Sequence, residues 1–431
     1  MKLFHAAAFL LAIGAIAQFA LAVPASFEKT DDGWQLLRDG KPYTIKGAGG
    51  HEYLDQLKAA GGNSIRTWGV GDDTAALLDE CDSHGITVTL GLWINHRDDT
   101  HDYANPDYVK QARERLLAEA KDMATQYKDH PAVLMYAVGN ESEIGNDTPA
   151  YWETLNLLAE AIKEIDPDRP VITVTAEMGG GEIPHGTMIA RHAPALDAWG
   201  INSYGGLFTL RQRRDEAQQK GLEGMDGPFL VTEFGPIGQW ETTKTPWGTP
   251  YEQTSTEKAL QYRKLYHDQI ETNPDCVGSY VFLWGQKQEA TGTWFGMFLN
   301  DGRPTGTVDA MQNAWSGSWP DNLAPEIRSF ESSITWEGIT PGGEIRVAVD
   351  GVDPEGQPLT YEWSVREASE GANNQGRAEA ETAAAEVDFK VDGGVVTFKV
   401  PEKAGPYRVF LVLTDGEKVA TMNLPFHVGK P

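Results

Sequence analysis

From Phe27 to about Trp319 the chain alternates short apolar runs with stretches in which apolar residues recur every third or fourth position. A short apolar run bounded by turn residues predicts a buried strand, and the three-to-four spacing predicts a helix with one apolar stripe. Strands are expected at 44–47, 64–68, 87–93, 133–138, 171–175, 198–202, 229–232 and 279–283, after a small hairpin over 34–43 that turns at Asp39-Gly40. Helical stretches such as 74–84, 108–127, 151–165, 256–272 and 308–315 separate or follow them. Asp166-Pro167-Asp168-Arg169-Pro170 is a strong helix stop. Eight strands each followed by a helix predict a (β/α)8 barrel, an architecture of about 250 residues. The rival, an open doubly wound sheet, would need a Gly-rich phosphate turn opening its first helix, and none is present.

After Trp319-Pro320-Asp321-Asn322-Leu323-Ala324-Pro325 the pattern changes. Runs at 345–349, 360–365, 395–400, 407–413 and 420–425 alternate with period two between turn residues, which predicts an antiparallel sandwich. The stretch 368–385, rich in Ala, Glu, Gly and Asn, is expected to be a mobile loop. The expected fold class is therefore α/β: a (β/α)8 TIM barrel followed by a C-terminal immunoglobulin-like β-sandwich. Its segments are a signal peptide at 1–22, the barrel with its hairpin at 23–319, a linker at 320–325 and the sandwich at 326–431.

The first segment rests on Lys2, an apolar run over 6–19, and Ala20-Leu21-Ala22 in the small-x-small form of a cleavage site. The run is short for a spanning helix and no later segment qualifies, so a secreted or periplasmic monomer without a transmembrane span is expected. The formal charge of −27 argues against nucleic acid or an anionic membrane as partner, since both need a basic patch. A neutral polysaccharide or oligosaccharide is compatible with it. Cys81 and Cys276 are too few for a disulfide framework and are expected to be separate thiols. Neither a metal site nor a cofactor is expected. His96-Arg97-Asp98-Asp99 reads as a solvated loop, because adjacent residues do not converge on one ion.

Two glutamates carry the chemistry. Glu141, in Gly139-Asn140-Glu141, follows the fourth strand, and Glu233, in Thr232-Glu233-Phe234-Gly235, follows the seventh. In a barrel they face one another across the mouth, the arrangement of the two carboxyl groups in glycoside hydrolysis. A retaining mechanism would set them about 5–5.5 Å apart, one as nucleophile and one as proton donor. Asn140 could donate to the sugar hydroxyl beside the anomeric carbon. Tyr204, after the sixth strand in Asn202-Ser203-Tyr204, and Arg66, near the end of the second, could hold Glu233 ionised. Trp284, ending the eighth strand, is a candidate floor for sugar stacking, with Trp68, Trp93 and Trp294 as further candidates. His51 and His96 could meet sugar hydroxyls. The polar and aromatic stretch 286–307, with Gln286, Gln288, Glu289, Thr293 and Trp294, is a candidate rim loop.

These motifs resemble the clan A glycoside hydrolases, in which the acid/base follows strand four in an Asn-Glu pair and the nucleophile follows strand seven. Gly62-Asn63-Ser64-Ile65-Arg66-Thr67-Trp68, Gly139-Asn140-Glu141 and Thr232-Glu233-Phe234-Gly235 are similar to the family 2 catalytic barrel. Ile45-Lys46-Gly47 and the strand-six Asn202-x-Tyr204 are similar to fungal β-1,3-glucanosyltransferases of family 72. A barrel followed by an immunoglobulin-like module resembles endo-β-1,3-glucanases of family 158. In the last module, Asp350-Gly351-Val352-Asp353-Pro354 resembles a PKD-type turn. No sandwich domains precede the barrel as in family 2, and the cysteines of the glucanosyltransferases are missing. The resemblance implies Glu141 as acid/base, Glu233 as nucleophile, and a retaining β-glycoside hydrolase on a β-glucan, with a β-1,3 linkage favoured. A glucanosyltransferase, a β-mannanase, an exo-β-glycosidase and a non-catalytic carbohydrate-binding protein are the alternatives. If the barrel works alone, deleting everything after Pro325 should leave it active on short oligosaccharides.

Overall fold

The computed structural model describes residues 22–179, 181–369 and 379–431. The expected signal peptide at 1–22 therefore lies almost wholly outside the described residues, as do positions 370–378 of the expected loop. The described chain opens with a three-stranded antiparallel sheet, β1 (Ala25–Thr30), β2 (Gly33–Arg38) and β3 (Lys41–Pro42). Asp39 and Gly40 take φ of 53° and 66°, the paired positive values that a two-residue hairpin turn needs.

Eight parallel strands then close on themselves in chain order: β4 (Ile45–Gly49), β5 (Ser64–Arg66), β6 (Thr87–Leu92), β7 (Val133–Asn140), β8 (Val171–Ala176), β9 (Ala198–Asn202), β10 (Phe229–Phe234) and β11 (Cys276–Val281). Each overlaps one expected run, and the fold class is the expected one. All residues of β6, β7 and β10 are buried, because one face meets the barrel axis and the other the helices. At the axis, the hydroxyl of Tyr280 lies 2.6 Å from Thr89 Oγ1 and 3.0 Å from Ser64 Oγ. Gly47 makes room for that ring, since a Cβ there would sit 2.3 Å from Tyr280 Cδ1. Ala25 and Leu36 of the hairpin join Ile45, Leu134, Leu230 and Val277 in one apolar cluster, so the hairpin plugs the bottom of the barrel.

The helices are α1 (Leu54–Ala59), α2 (Thr74–His84), α3 (Pro106–Tyr127), α4 (Pro149–Ile165), α5 (His185–His192), α6 (Leu210–Gln219), α7 (Ser255–Leu265) and α8 (Gly306–Ser316). Their starts obey local rules. Asn105 caps α3 ahead of Pro106, Thr148 caps α4 ahead of Pro149, and Thr254 with Glu257 forms a capping box on α7. The expected helix at 256–272 passes from α7 into a π-type turn over Tyr266–Glu271. Helices α1, α5 and α6 were not among the expected stretches. The first two are short, and α6 buries only Leu210, Arg214 and Ala217, so the apolar stripe is thin. Among the described residues no helix is long and apolar enough to cross a membrane. Cys81 and Cys276 are free thiols.

The C-terminal unit contains β12 (Glu326–Ser332), β13 (Glu344–Val352), β14 (Thr360–Glu367), β15 (Ala384–Ala385), β16 (Phe389–Asp392), β17 (Val395–Lys399), β18 (Gly405–Thr414) and β19 (Val419–Val428). They form two four-stranded sheets, β12-β13-β17-β16 and β15-β14-β18-β19, around Val347, Val396, Phe398, Leu411 and Phe426. Strand β12 buries only Ile327 and so lacks the alternation that would have revealed it.

The sandwich does not hang from its linker. It supplies partners to barrel groups that have almost no access to water. Glu252 and Lys258, ahead of and within α7, pair at 2.6 Å with side chains 2% and 4% exposed. Thr291 and Thr293 also donate to the Glu252 carboxylate, and Asn423 of β19 donates to it from the sandwich. Arg408 of β18 holds Asn423 and donates to the Pro250 carbonyl at 2.6 Å. Burial opposes the Glu252 charge, but Lys258 and the hydroxyl donors outweigh it and keep the carboxyl below its ordinary range. Backbone amides of Thr421 and Ile327 bond Ser255 and Thr256 at the start of α7. Deleting everything beyond Pro325 would therefore remove the Asn423 donor from the buried Glu252 carboxylate and the Arg408 donor from the Pro250 carbonyl. Glu252→Gln should cost about 3–5 kcal/mol, because it leaves a buried ammonium without its counter-charge. Urea unfolding of the full chain measures this, and adding Lys258→Met should recover much of the loss.

Candidate active site

The upper ends of β7 and β10 are both irregular, and each irregularity sets a carboxylate. Register between β7 and β8 slips between Val138 and Asn140, and register between β10 and β9 slips between Val231 and Glu233. Gly139 has φ of 79°, and a Cβ there would lie 2.6 Å from Ser142 Oγ. Glu141 follows with φ of 52°, a left-handed conformation that costs a non-glycine residue about 1 kcal/mol or more. Its amide is held by the Val174 carbonyl at 2.9 Å. Such local irregularities re-aim side chains that would otherwise face the barrel axis or the helices.

Glu233 is almost buried, and three donors hold its two oxygens. Arg66 Nη1 and Trp68 Nε1 donate to Oε1 at 3.0 and 2.9 Å, and the Tyr204 hydroxyl donates to Oε2 at 2.8 Å. Burial and the Glu233 charge push the Tyr204 phenol well above its ordinary range, so it keeps its proton and donates. Arg66 also donates through Nη1 to the Thr232 carbonyl at 2.9 Å and through Nη2 to Asn140 Oδ1 at 2.7 Å. Asn202 links the two glutamates. Its Nδ2 donates to Glu141 Oε1 at 2.9 Å, while its Oδ1 accepts from Thr232 and from the same Arg66 Nη1. With Asn140 Oδ1 occupied by Arg66 and Asn202, its NH2 is the group it can offer a ligand.

Glu141 meets a different environment. Burial, then the negative charge of Glu233, raise its carboxyl to about 7, against the Asn202 hydrogen bond and Arg66. Glu143, fully buried two residues on, is pushed well above the carboxylate range by burial and by Glu141. One glutamate is thus braced by donors and its partner is poised to carry a proton near neutrality, the division of labour that acid–base pairs require.

Glu141, Glu233, Asn140, Asn202, Tyr204 and Arg66 thus meet at one mouth. The aromatic assignments change. Trp284 is fully buried between Phe298 and Trp315 and donates to the Tyr53 carbonyl, so it cannot present a face to a sugar. Trp294 is buried too, donating to the Ile237 carbonyl. Trp68, expected as a platform, is a donor to Glu233. His96 Nε2 lies 3.1 Å from the Asn140 carbonyl, with its ring beside Trp93. Among the described residues, exposed rings on the loops after the barrel strands include Trp93 and Trp240, 42% and 51% exposed, and Phe208. Trp240, which the sequence reading missed, meets Tyr204 edge-on and stacks on Phe295. Its signal was the irregular Gly235-Pro236-Ile237-Gly238 run directly after Glu233. Glu177 was also missed. It accepts from Ser203 and Arg213 and is a further charge raising Glu141. Its signal was an acid directly after the fifth strand. Within 286–307, Thr293 is used on Glu252, and Glu289 on Lys287 and Gln239, so this loop serves largely as internal bracing.

The model of the glycosyl hydrolases family 2 TIM barrel domain matches residues 40–268. The chain belongs to this family. Its relatives include the β-glucuronidase of Sus scrofa, 23% identical over 334 residues covering 70% of this chain and 47% of that protein. The β-glucuronidase of Paenibacillus borealis is 23% identical over 333 residues, covering 68% of this chain and 52% of its own length. The chain therefore spans about half the length of these curated relatives. Among solved structures, the β-D-glucuronidase of Dictyoglomus thermophilum superposes with a TM-score of 0.53 at 18% identity, over 69% of this chain and 54% of that one. That likeness shows the shared fold.

For this family 2 barrel the geometry sets two expectations. If Glu141 works as an acid, turnover falls as pH rises through about 7, because the protonated form is the active one. A kcat profile on a substrate with a poor leaving group tests this, and Glu141→Gln should abolish that limb. Trp68→Phe removes one charge-assisted hydrogen bond to Glu233 and should lower kcat by about ten- to a hundredfold with little change in melting temperature.

Proposed function

We propose that the chain is an exported, retaining β-glycoside hydrolase acting on a neutral β-glucan, with β-1,3-linked glucan the first candidate. The observation that carries this reading is the asymmetry of the pair: Glu233 braced by Arg66, Trp68 and Tyr204, and Glu141 raised to about 7. Membership of family 2 supports the reaction class. Glu233 attacks the anomeric carbon while Glu141 protonates the departing oxygen. Glu141, now a carboxylate, then takes a proton from water, which attacks the same carbon and releases Glu233. Asn140 offers its NH2 to the hydroxyl beside the anomeric carbon, and Tyr204 and Arg66 keep the nucleophile oriented. Export is supported by the N-terminal Lys2, apolar run and small-x-small site. The exposed Trp93 and Trp240 follow the third and seventh barrel strands, opposite one another around an eight-stranded ring, and suit a chain lying across the mouth.

A β-glucuronide is the second reading, favoured by the names of the relatives. Side-by-side assays on a β-1,3-glucan, a β-mannan and an aryl β-glucuronide separate the substrates, and longer products would identify transfer to sugar. Glu233→Gln should nearly abolish turnover while the protein stays folded; an unaffected rate would end the assignment. Azide should rescue Glu141→Ala on an activated substrate, and proton NMR should show the first product as the β-anomer. Binding without cleavage would instead favour a carbohydrate-binding protein.

A further inference from the structure

A cavity of 330 Å³ opens beside the nucleophile, between the ends of β4, β5 and β11. Its size falls at the small end of ligand sites, about 300–1,000 Å³. Arg66 and Trp68, which both hold Glu233 Oε1, form its inner wall. Glu141 stands on β7, on the other side of the mouth. An acid must sit at the leaving oxygen, so the leaving group extends toward Glu141 and the glycosyl unit being transferred extends toward this cavity.

The chemistry of the walls is one-sided. Glu52 and Asp73 line the cavity, with His51 and Gln286 as further polar groups. A Cβ on Gly285 would lie 2.8 Å from Glu52 Oε2, and one on Gly71 would lie 3.4 Å from Asp73 Oδ1, so both carboxylates rest against glycine backbone at the wall. Arg66 is the single guanidinium or ammonium among the lining residues; its Nη1 and Nη2 are engaged by Glu233, Asn202, Thr232 and Asn140, and its Nε, which lacks a partner, is buried. Carboxylates accept strong hydrogen bonds from vicinal sugar hydroxyls, whereas a uronate's own carboxylate would meet two like charges.

We infer that this cavity binds the glycosyl unit as an uncharged hexopyranose, with Glu52 and Asp73 accepting from its hydroxyls and excluding uronates. The inference rests on the proposed glycosidase reading for which end of the substrate lies here. It makes Glu52 and Asp73 specificity residues, and it sets this chain apart from what its relatives' names would suggest.

The test is binding to the full chain carrying Glu233→Gln, by calorimetry, with laminaribiose and with the same disaccharide bearing glucuronic acid at its non-reducing end. The neutral sugar should bind about tenfold tighter or more, and adding Glu52→Gln and Asp73→Asn should weaken it and shrink that preference to about threefold or less. Equal or tighter binding of the acidic sugar, an unchanged preference in the combined variant, or no binding of either sugar would overturn the inference. Turnover of aryl glycosides by the native chain, measured separately, tests the glycosidase reading. A cleaving enzyme with an unchanged preference rejects only the subsite. Selective neutral-sugar binding without turnover rejects only the chemistry.

Discussion

A guanidinium with almost no access to water, that of Arg66, is the constraint around which the barrel mouth is arranged. Removing such a charge from water costs several kcal/mol unless its donors are met by well-placed acceptors. Here the acceptors come from three other strand ends: Asn140 on β7, Asn202 on β9, and Thr232 with Glu233 on β10. Each is thereby fixed in turn. The amide of Asn140 is oriented because its oxygen is taken, and Asn202 is turned so that its nitrogen reaches Glu141. Arg66 and Glu233 form an ion pair at 3.0 Å. One side chain thus settles the direction of three others and holds one carbonyl.

The two glutamates show how little residue type decides by itself. They share a cleft, and their charges interact, yet Glu233 has three donors on two oxygens and Glu141 has the amide of Asn202. The backbone takes part in this division. Glu233 lies near the end of a strand in extended geometry, while Glu141 sits beyond a glycine with its own backbone in the left-handed region. The irregular register at both strand ends is the local means of separating two otherwise similar acids.

The alternation of apolar runs made all eight barrel strands legible, because parallel strands buried on both faces leave an unambiguous record. The glutamates were legible for the same reason, each standing just past such a run. Tyr204 and Arg66 could be placed because strand counting says which ends are neighbours. Tryptophans were harder. A strand-end tryptophan reads identically whether its ring turns into the mouth or behind the barrel, and Trp284 turns behind, against Phe298 and Trp315. Trp68 points as expected but acts through its N–H. Helix α6 and strand β12 escaped notice because each buries too few residues to leave a periodic trace. The contacts of the sandwich with α7 were invisible for a further reason: Glu252 and Asn423 are separated by 171 positions and belong to segments that look solvent-facing when read alone.

That last contact also orders events in time. Residues made early, Ala25 and Leu36, plug the barrel floor, while Arg408 and Asn423, made late, complete the surroundings of Glu252. During synthesis the barrel would carry an unfinished ionic site until the strands of the sandwich had formed. In a chain built this way the surroundings of Glu252 are completed only when both units are in place.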